Sequence, residues 1–460
     1  MQFLVKDKNF YKKILQIGVP ISLQGLITFS VNMTDTMMLG SLGEITLSAS
    51  SLANQFCLIF LIINYGLGGG SGVLTGQFWG QKDTESINKT LSILLRFSLL
   101  FAILLMLAAQ IMPEKIMGVY TTEAEVIKQG SMYLKIISLS FIMQGIVATS
   151  TIVLRTIGTV NVGLIASGCS FLVNIILNYI FIFGKFGAPE LGIQGAAIGT
   201  LVARIIEFII IVSHLLKSDK KIQFKLKYLL STDKIILKKY IKIGFPVLVS
   251  DIILVLGMNM LSVIMGRMGS EMVAGNSISN IVNQFTMIFL QGVSSASSVI
   301  IGNTIGEGNI EEAQKRGVTF LVLSLILGIV SAAIILISKN VIVDFYNVSD
   351  STKEIAYALL NSTAFIVMFS FTSGILTKGV LRAGGDTKFL MIADVLFLWA
   401  ASIPLGYIAG IVLNLPPGIV FIALKIDEII KSLWCIKRLT GKKWIKRISN
   451  DKEYMELEVI

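Results

Sequence analysis

Four polar residues lie inside long apolar segments and have types suited to ion binding. Asp35 lies in the segment near 14–38, Asn174 and Asn178 are one helical turn apart in the segment near 161–184, and Thr200 lies in the segment near 192–216. An ionisable group in hydrocarbon is energetically costly and usually has a role. Residues four apart project from the same side of a helix, and amide oxygens suit a hard cation or a hydrogen-bonded carboxyl group. The residue types therefore make each of these four a candidate for binding an ion.

Simpler structural roles for the same residues remain open. Asp35 could lie close enough to the outer surface to be solvated. Each amide or hydroxyl, taken singly, could form a hydrogen bond between neighbouring helices.

Other polar residues are candidates for lining a substrate cavity. The predicted cavity residues are the two that precede Asp35 by two or three positions and two acids of the second half: Asn32, Met33, Asp251 and Asp394. Asp427 and Glu428 interrupt the last apolar segment. The acids of the second half could instead pair with nearby lysines such as Lys425 and Lys431.

The chain has little of the chemistry that enzymes need. It contains one histidine and three scattered cysteines, which predicts neither a His/Cys metal cluster nor a Ser-His-Asp triad. The glycine-rich run 66–72 does not fit the phosphate-binding patterns, and no Gly-Lys-Ser/Thr follows it. We therefore predict a protein that is not an enzyme, needs no cofactor beyond a coupling H⁺ or Na⁺, and does not hydrolyse ATP.

The composition predicts that most of the chain is in contact with lipid. Hydrophobic residues make up 54% of 460 positions and charged residues 15%. In lipid the backbone must satisfy its own hydrogen bonds, and continuous apolar runs of about 20 residues favour helices over barrel strands. We expect an all-α polytopic membrane protein with twelve transmembrane helices, near 14–38, 50–76, 90–112, 131–154, 161–184, 192–216, 240–266, 275–302, 316–338, 357–381, 388–412 and 417–436.

The formal net charge of +11 is concentrated between and after these segments. Lysines crowd the connection 217–239, and basic residues crowd the region after 436. This distribution is typical of cytoplasmic segments rather than of a nucleic-acid-binding surface. We expect no nucleic-acid partner, a location in the cell membrane, and both termini in the cytoplasm.

The sequence repeats itself at an offset of 226 residues. Ile17-Gly18-Val19-Pro20 recurs as Ile243-Gly244-Phe245-Pro246, and Gly76 and Gly80 correspond to Gly302 and Gly306. The repeat predicts two pseudo-symmetric six-helix lobes, 1–216 and 240–438, with a cytoplasmic linker 217–239 and a cytoplasmic tail 439–460. Asp35 corresponds to Leu261, so the repeated scaffold does not itself require an acid at that position.

Two motifs, in register with this repeat, resemble the MATE family of multidrug and toxic compound extrusion transporters. They are Gly76-Gln77-Phe78-Trp79-Gly80-Gln81 and Leu381-Arg382-Ala383-Gly384-Gly385-Asp386-Thr387. A weaker copy of the second motif is Leu154-Arg155-Thr156-Ile157-Gly158. The resemblance covers nearly the whole chain.

The resemblance implies an ion-coupling site in the first lobe, formed by Asp35, Asn174, Asn178 and Thr200, which would be the metal ligands if the ion is Na⁺. Asp35, Asn174 and Thr200 match the family's site, whereas Asn178 stands where many members have a second aspartate. One carboxylate instead of two weakens the attraction for Na⁺, so H⁺ and Na⁺ both remain candidates.

The implied function is secondary active efflux, in which amphipathic, often cationic, organic compounds are exchanged for H⁺ or Na⁺. The alternative is a flippase or exporter of lipid-linked or other amphiphilic substrates from the same superfamily. In either case we expect a small-molecule substrate, contact with membrane lipid, and a monomer whose lobes alternate access to a central cavity.

Overall fold

The fold is all-helical, as predicted. The computed structural model describes residues 4–229, 233–346 and 348–448, so the predicted linker and tail lie partly outside the described residues. The helices of the first half are α1 (Lys8–Gly40), α2 (Glu44–Gly80), α3 (Thr84–Ile111), α4 (Pro113–Tyr120), α5 (Ala124–Ser138), α6 (Ser140–Thr156), α7 (Asn161–Phe183) and α8 (Ile193–Ser213). Those of the second half are α9 (Lys234–Arg267), α10 (Ser270–Gly306), α11 (Ile310–Asp344), α12 (Asp350–Gly374), α13 (Thr387–Phe397), α14 (Ile403–Tyr407), α15 (Pro417–Leu424) and α16 (Ile426–Thr440).

Short π-helical and 3₁₀ turns extend or join several of these helices. The π-helical turns are His214–Ser218, Ile375–Leu381, Leu398–Ser402 and Ile408–Val412, and the 3₁₀ turns are Leu226–Leu229 and Lys442–Trp444. The turns at 398–402 and 408–412 make α13 and α14 parts of one long span, Thr387–Val412.

Among the described residues, ten helical segments are long and apolar enough to cross a membrane. An eleventh is formed if α5 and α6, which meet at a bend of 49°, make one span. The predicted segment 131–154 corresponds to this bent pair. The predicted segment 417–436 corresponds to α15 and α16, which are separated at Lys425 where Asp427 and Glu428 follow. The chain is therefore a multi-pass helical membrane protein.

The helices form two compact units. The N-terminal unit comprises residues 20–71 and 84–244, and the C-terminal unit comprises residues up to 19, 72–83 and from 245 onward. These units differ from the predicted lobes because the start of α1 and the end of α2 pack with the second half. The lobe boundaries thus remain a prediction from the repeat.

A stacked aromatic pair lies in the core of the N-terminal unit. The rings of Phe60 and Phe141 stack with centroids 5.0 Å apart, and Phe56 packs against the same ring. One face of α3 is exposed and apolar, and its residues recur at helical spacing: Leu100, Ile103, Leu104 and Leu107. Such an apolar face on a long helix suits contact with lipid.

The basic connection between the halves packs against the N-terminal unit. Asn88 donates a hydrogen bond to the carbonyl of Ile222 (2.8 Å), and Arg96 donates one to the carbonyl of Leu229 (2.8 Å). Lys221 donates to the carbonyl of Ile157 at the end of α6 (2.7 Å). The described part of the predicted linker is therefore fixed to α3 and α6.

Glycines bring α2 and α10 into close contact within the C-terminal unit. A Cβ added to Gly80 would lie 2.0 Å from the carbonyl oxygen of Asn303, and one added to Gly306 would lie 2.0 Å from that of Gln77. Only glycine permits so close an approach of two helix backbones. The four-residue spacing of Gly76 and Gly80 thus serves helix packing.

Candidate functional site

The structure joins the four predicted ion-coupling residues in one hydrogen-bonded chain in the N-terminal unit. The side-chain amide of Asn178 donates to Oδ1 of Asp35 (2.5 Å) and, more weakly, to Oδ1 of Asn174 (3.4 Å). The amide of Asn174 in turn donates to the hydroxyl of Thr200 (3.1 Å). Asn174 and Asn178 are 1% and 0% exposed, whereas Asp35 and Thr200, at the two ends of this chain of contacts, are partly exposed.

Helix packing explains why Asn178 reaches Asp35. α7 places the two asparagines one turn apart, and α8 faces them with Gly199. A Cβ at Gly199 would lie 2.2 Å from Oδ1 of Asn178, so the absence of a side chain there makes room for the amide. This Oδ1 atom has no hydrogen-bond partner among the described residues. A buried amide oxygen of this kind is suited to accept a hydrogen bond or to coordinate a cation.

A buried acid, Glu207, lies on α8 two helical turns after Thr200. It is 5% exposed and is paired with Arg204, whose Nη1 lies 2.7 Å from Oε2 of Glu207. Ser167 donates to Oε1 of Glu207 (3.2 Å). Glu207 was not among the residues predicted from the sequence. The feature of the sequence that could have indicated it is the Arg-x-x-Glu spacing of Arg204 and Glu207, the only charged residues of α8.

A small cavity lies between Glu207 and the asparagine pair. Its volume is about 20 Å³, and it is lined by mostly polar groups of α7 and α8 and mostly apolar groups of α1: Ile27, Thr28, Val31, Ser167, Ser170, Asn174, Thr200, Ala203, Arg204 and Glu207. A space of this size holds about one water molecule, and the polar lining offers it several partners.

The predicted substrate-cavity residues fall into two environments. Asn32 and Met33 are exposed on α1 of the N-terminal unit. In the C-terminal unit, Asp251 lies 3.6 Å from Arg382, and Asp394 accepts a hydrogen bond from Ser250 (3.1 Å). Both acids therefore have partners within their own unit. Their role in a substrate cavity, like that of Asn32 and Met33, stays a prediction.

Lys431 is buried among three carboxylates in the C-terminal unit. Its ammonium lies 3.1 Å from Asp427, 3.5 Å from Asp394 and 3.6 Å from Glu428, and its side chain is 8% exposed. Each carboxylate also accepts a serine hydroxyl, from Ser402 on Asp427, Ser250 on Asp394 and Ser373 on Glu428. The sequence left open whether acids of the second half pair with Lys431, and the structure shows that Asp394, Asp427 and Glu428 do.

Comparisons with known proteins agree with this architecture. The family model MatE matches residues 20–180 and 246–408. The chain is 26% identical over 451 residues to the uncharacterized transporter YisQ of Bacillus subtilis, covering 96% of each protein. It is 24% identical over 440 residues to the probable multidrug resistance protein NorM of Thermotoga maritima, covering 95% of this chain and 93% of that protein.

Solved structures share the fold. A transporter of the MOP superfamily from Pyrococcus furiosus superposes with a TM-score of 0.84 at 18% identity, covering 94% of this chain and 96% of that one. An outward-facing multidrug resistance MATE family transporter gives the same TM-score, identity and coverage. Because the family model matches both repeats, separately and over most of their length, the protein belongs to the MATE family of membrane transporters.

Proposed function

We propose that this transporter exports amphipathic, often cationic, organic compounds in exchange for protons, and that Asp35 is the group that carries the proton. The observation that supports this most directly is the hydrogen bond between Asp35 and Asn178. Asp35 is the one carboxylate in the hydrogen-bonded set of four. Since an amide offers both a donor and an acceptor, Asn178 can bond the carboxyl group in either protonation state.

The charges around the site support H⁺ over Na⁺. Sodium sites are formed by several oxygen ligands whose charge offsets that of the ion, and here an amide stands where a second carboxylate would add charge. Arg204 interacts electrostatically with Asp35 as well. The guanidinium of Arg204 disfavours added positive charge at the site, whether as Na⁺ or as a proton, so the preference for H⁺ rests on the small number of charged oxygen ligands.

The class of substrate is supported by relatives rather than by the site. Several relatives are named as probable multidrug resistance proteins, including NorM of Thermotoga maritima and NorM of Pasteurella multocida. By extension we assign a multidrug substrate range to this chain. The same proposal places it in the cell membrane as a monomer, with both termini in the cytoplasm, on the strength of its basic connection and tail.

The test is transport by purified protein in proteoliposomes. Efflux of a fluorescent organic cation is measured under an imposed pH gradient and, separately, under an imposed Na⁺ gradient. Asp35→Asn should reduce pH-driven efflux by about tenfold or more, a loss within the usual range of coupling between two ligands. Asp350→Asn makes the same change at an exposed position and should transport like the parent.

Three results would contradict the proposal. Efflux driven by Na⁺ but not by a pH gradient would assign the coupling to Na⁺. Full pH-driven efflux by Asp35→Asn would remove Asp35 from the mechanism. Movement of a fluorescent lipid between leaflets without efflux of the cation would favour the flippase.

A further inference from the structure

A second set of hydrogen-bonded polar side chains lies beside the Asp35 site in the N-terminal unit, and the small cavity separates the two sets. Ser167 donates to Glu207 and accepts a hydrogen bond from Gln24 (3.0 Å). Gln24 in turn accepts one from Arg155 (2.6 Å) at the end of α6. Four helices therefore contribute to the network: α1, α6, α7 and α8.

The network and the Asp35 site share one cavity. Asn174 and Thr200 of the Asp35 site line it on one side, and Ser167, Arg204 and Glu207 line it on the other. On α1, Asp35 and Gln24 are the two ends of the polar stretch, about 16 Å apart at the rise of a helix. That length is about half of the hydrocarbon thickness of a membrane.

The charged groups around Glu207 tie it electrostatically to Asp35. Arg204 pairs with Glu207 on the same helix and interacts with Asp35 of α1, whereas Arg155 of α6 is joined to Glu207 through Gln24 and Ser167. Arg204 interacts with both carboxyl groups. With both acids ionised, the two arginines balance them.

We propose that Glu207 is a second proton-carrying group, which receives the proton from Asp35 on its way to the cytoplasmic side. In this step the O–H bond of protonated Asp35 breaks and a new O–H bond forms on the Glu207 carboxylate. Water in the cavity and the hydroxyl groups that line it carry the proton between them. The carboxylate of Asp35 is thereby free for the next cycle. This inference rests on proton coupling at Asp35.

The experiment compares Glu207→Gln with the double variant Arg204→Gln/Glu207→Gln. Glu207→Gln should lower pH-driven efflux by about tenfold or more and leave equilibrium binding of the fluorescent cation unchanged. The double variant removes the arginine that the single variant leaves without its partner. It should therefore unfold at a temperature close to the parent's and still be defective in pH-driven efflux.

A purely structural role gives the opposite result. If Glu207 only neutralises Arg204, the double variant regains the parent's pH-driven efflux and the inference is wrong. Glu207→Asp, which keeps a carboxyl group, should recover part of the efflux, and failure to recover any would also count against proton carriage. Glu114→Gln, at an exposed position of α4, is the matched control and should behave like the parent.

The two proposals fail in distinguishable ways. If the parent shows no pH-driven efflux, or if Asp35→Asn has full activity, the proposed function fails. If Asp35→Asn is defective while Glu207→Gln is fully active, proton coupling at Asp35 stands and only the role of Glu207 is rejected.

Discussion

The amide of Asn178 lies 2.5 Å from the carboxylate of Asp35, so the two side chains form one hydrogen-bonded unit although they are 143 residues apart in sequence. This contact joins α1 to α7. A substitution of Asn178 therefore alters the environment of the Asp35 carboxylate.

Asn178→Asp would place a second carboxylate against Asp35. Two ionised carboxylates at this distance repel each other, and a bound cation relieves the repulsion. We expect Na⁺ to raise the thermal unfolding temperature of the variant more than that of the parent. Na⁺ at ten times its dissociation constant corresponds to about 1.4 kcal/mol of added stability.

The measurement compares unfolding temperatures in sodium chloride and choline chloride at equal ionic strength. Asn280→Asp introduces the same charge at an exposed position of α10 and should show no sodium effect. Equal responses of the parent and Asn178→Asp would show that a second carboxylate does not create a sodium site here.

Gly199→Ala should damage the site by steric overlap. The added methyl group would lie 2.2 Å from Oδ1 of Asn178 and 3.2 Å from its backbone nitrogen, so the amide must move away from Asp35. Overpacking of this kind costs about 1–3 kcal/mol. We expect a lower unfolding temperature and weaker pH-driven efflux.

Gly168→Ala on α7 is the matched control. A Cβ there meets nothing within 4 Å, so the substitution should be neutral or should stabilise the helix by up to about 1 kcal/mol. If both variants unfold and transport alike, the close packing at Gly199 is not what positions Asn178.

Lys431→Met should strongly destabilise the C-terminal unit. It leaves three buried carboxylates without the ammonium group that they share, and breaking a buried ion pair by removing one partner costs about 3–5 kcal/mol. Equilibrium unfolding in mixed detergent micelles measures the change. Lys388→Met, at an exposed position of α13, should change stability by less than about 0.5 kcal/mol. A loss below about 1 kcal/mol for Lys431→Met would show that the cluster is not a stabilising ion network.

Asp233, which precedes α9 outside the spanning segments, should titrate below the ordinary range of an aspartate. Burial raises the pKa of Asp233. Hydrogen bonds from the backbone N–H groups of Ile236 and Ile235 and from the ammonium of Lys89 lower it by a larger amount, so the net shift of the pKa is downward. The stabilisation from Asp233 is therefore present above its unfolded pKa of about 3.9 and is lost as the pH falls through the lower folded value.

The amide signals of Ile235 and Ile236 report this titration by nuclear magnetic resonance. Their midpoint should lie below about 3.9 and should disappear in Asp233→Asn. A midpoint at or above that value would mean that burial outweighs the hydrogen bonds.

The sequence was sufficient to predict the fold class and to select four residues that the structure joins by hydrogen bonds, while their ion-coupling role stays a prediction. Helix periodicity places Asn174 and Asn178 on one face, and a lone acid in an apolar segment is conspicuous in any sequence of this kind. Glu207 has Arg204 one turn away on the same helix, and an acid paired with a nearby base does not by itself indicate a functional role in the sequence. The cavity beside Glu207 could not be predicted from the sequence, because it depends on how α1, α7 and α8 pack together.

The unit boundaries were also beyond the reach of sequence periodicity. The repeat marks where each half begins, but it does not tell which helix ends pack together. Residues 72–83 join the C-terminal unit because Gly76 and Gly80 allow α2 to approach α10, and that pairing is a property of tertiary structure.

The contact between α2 and α10 is symmetric in a way that bears on the protein's origin. Gly80 faces Asn303 while Gly306 faces Gln77, and Gly76 and Gly302 face each other. Each residue thus meets the counterpart of its partner, the rule for an isologous interface between two identical subunits. The contact preserves, within one chain, the geometry of a homodimer, and gene fusion would have converted that dimer into a single polypeptide whose halves were then free to diverge. A difference such as Asp35 in one half and Leu261 in the other is what such divergence would produce.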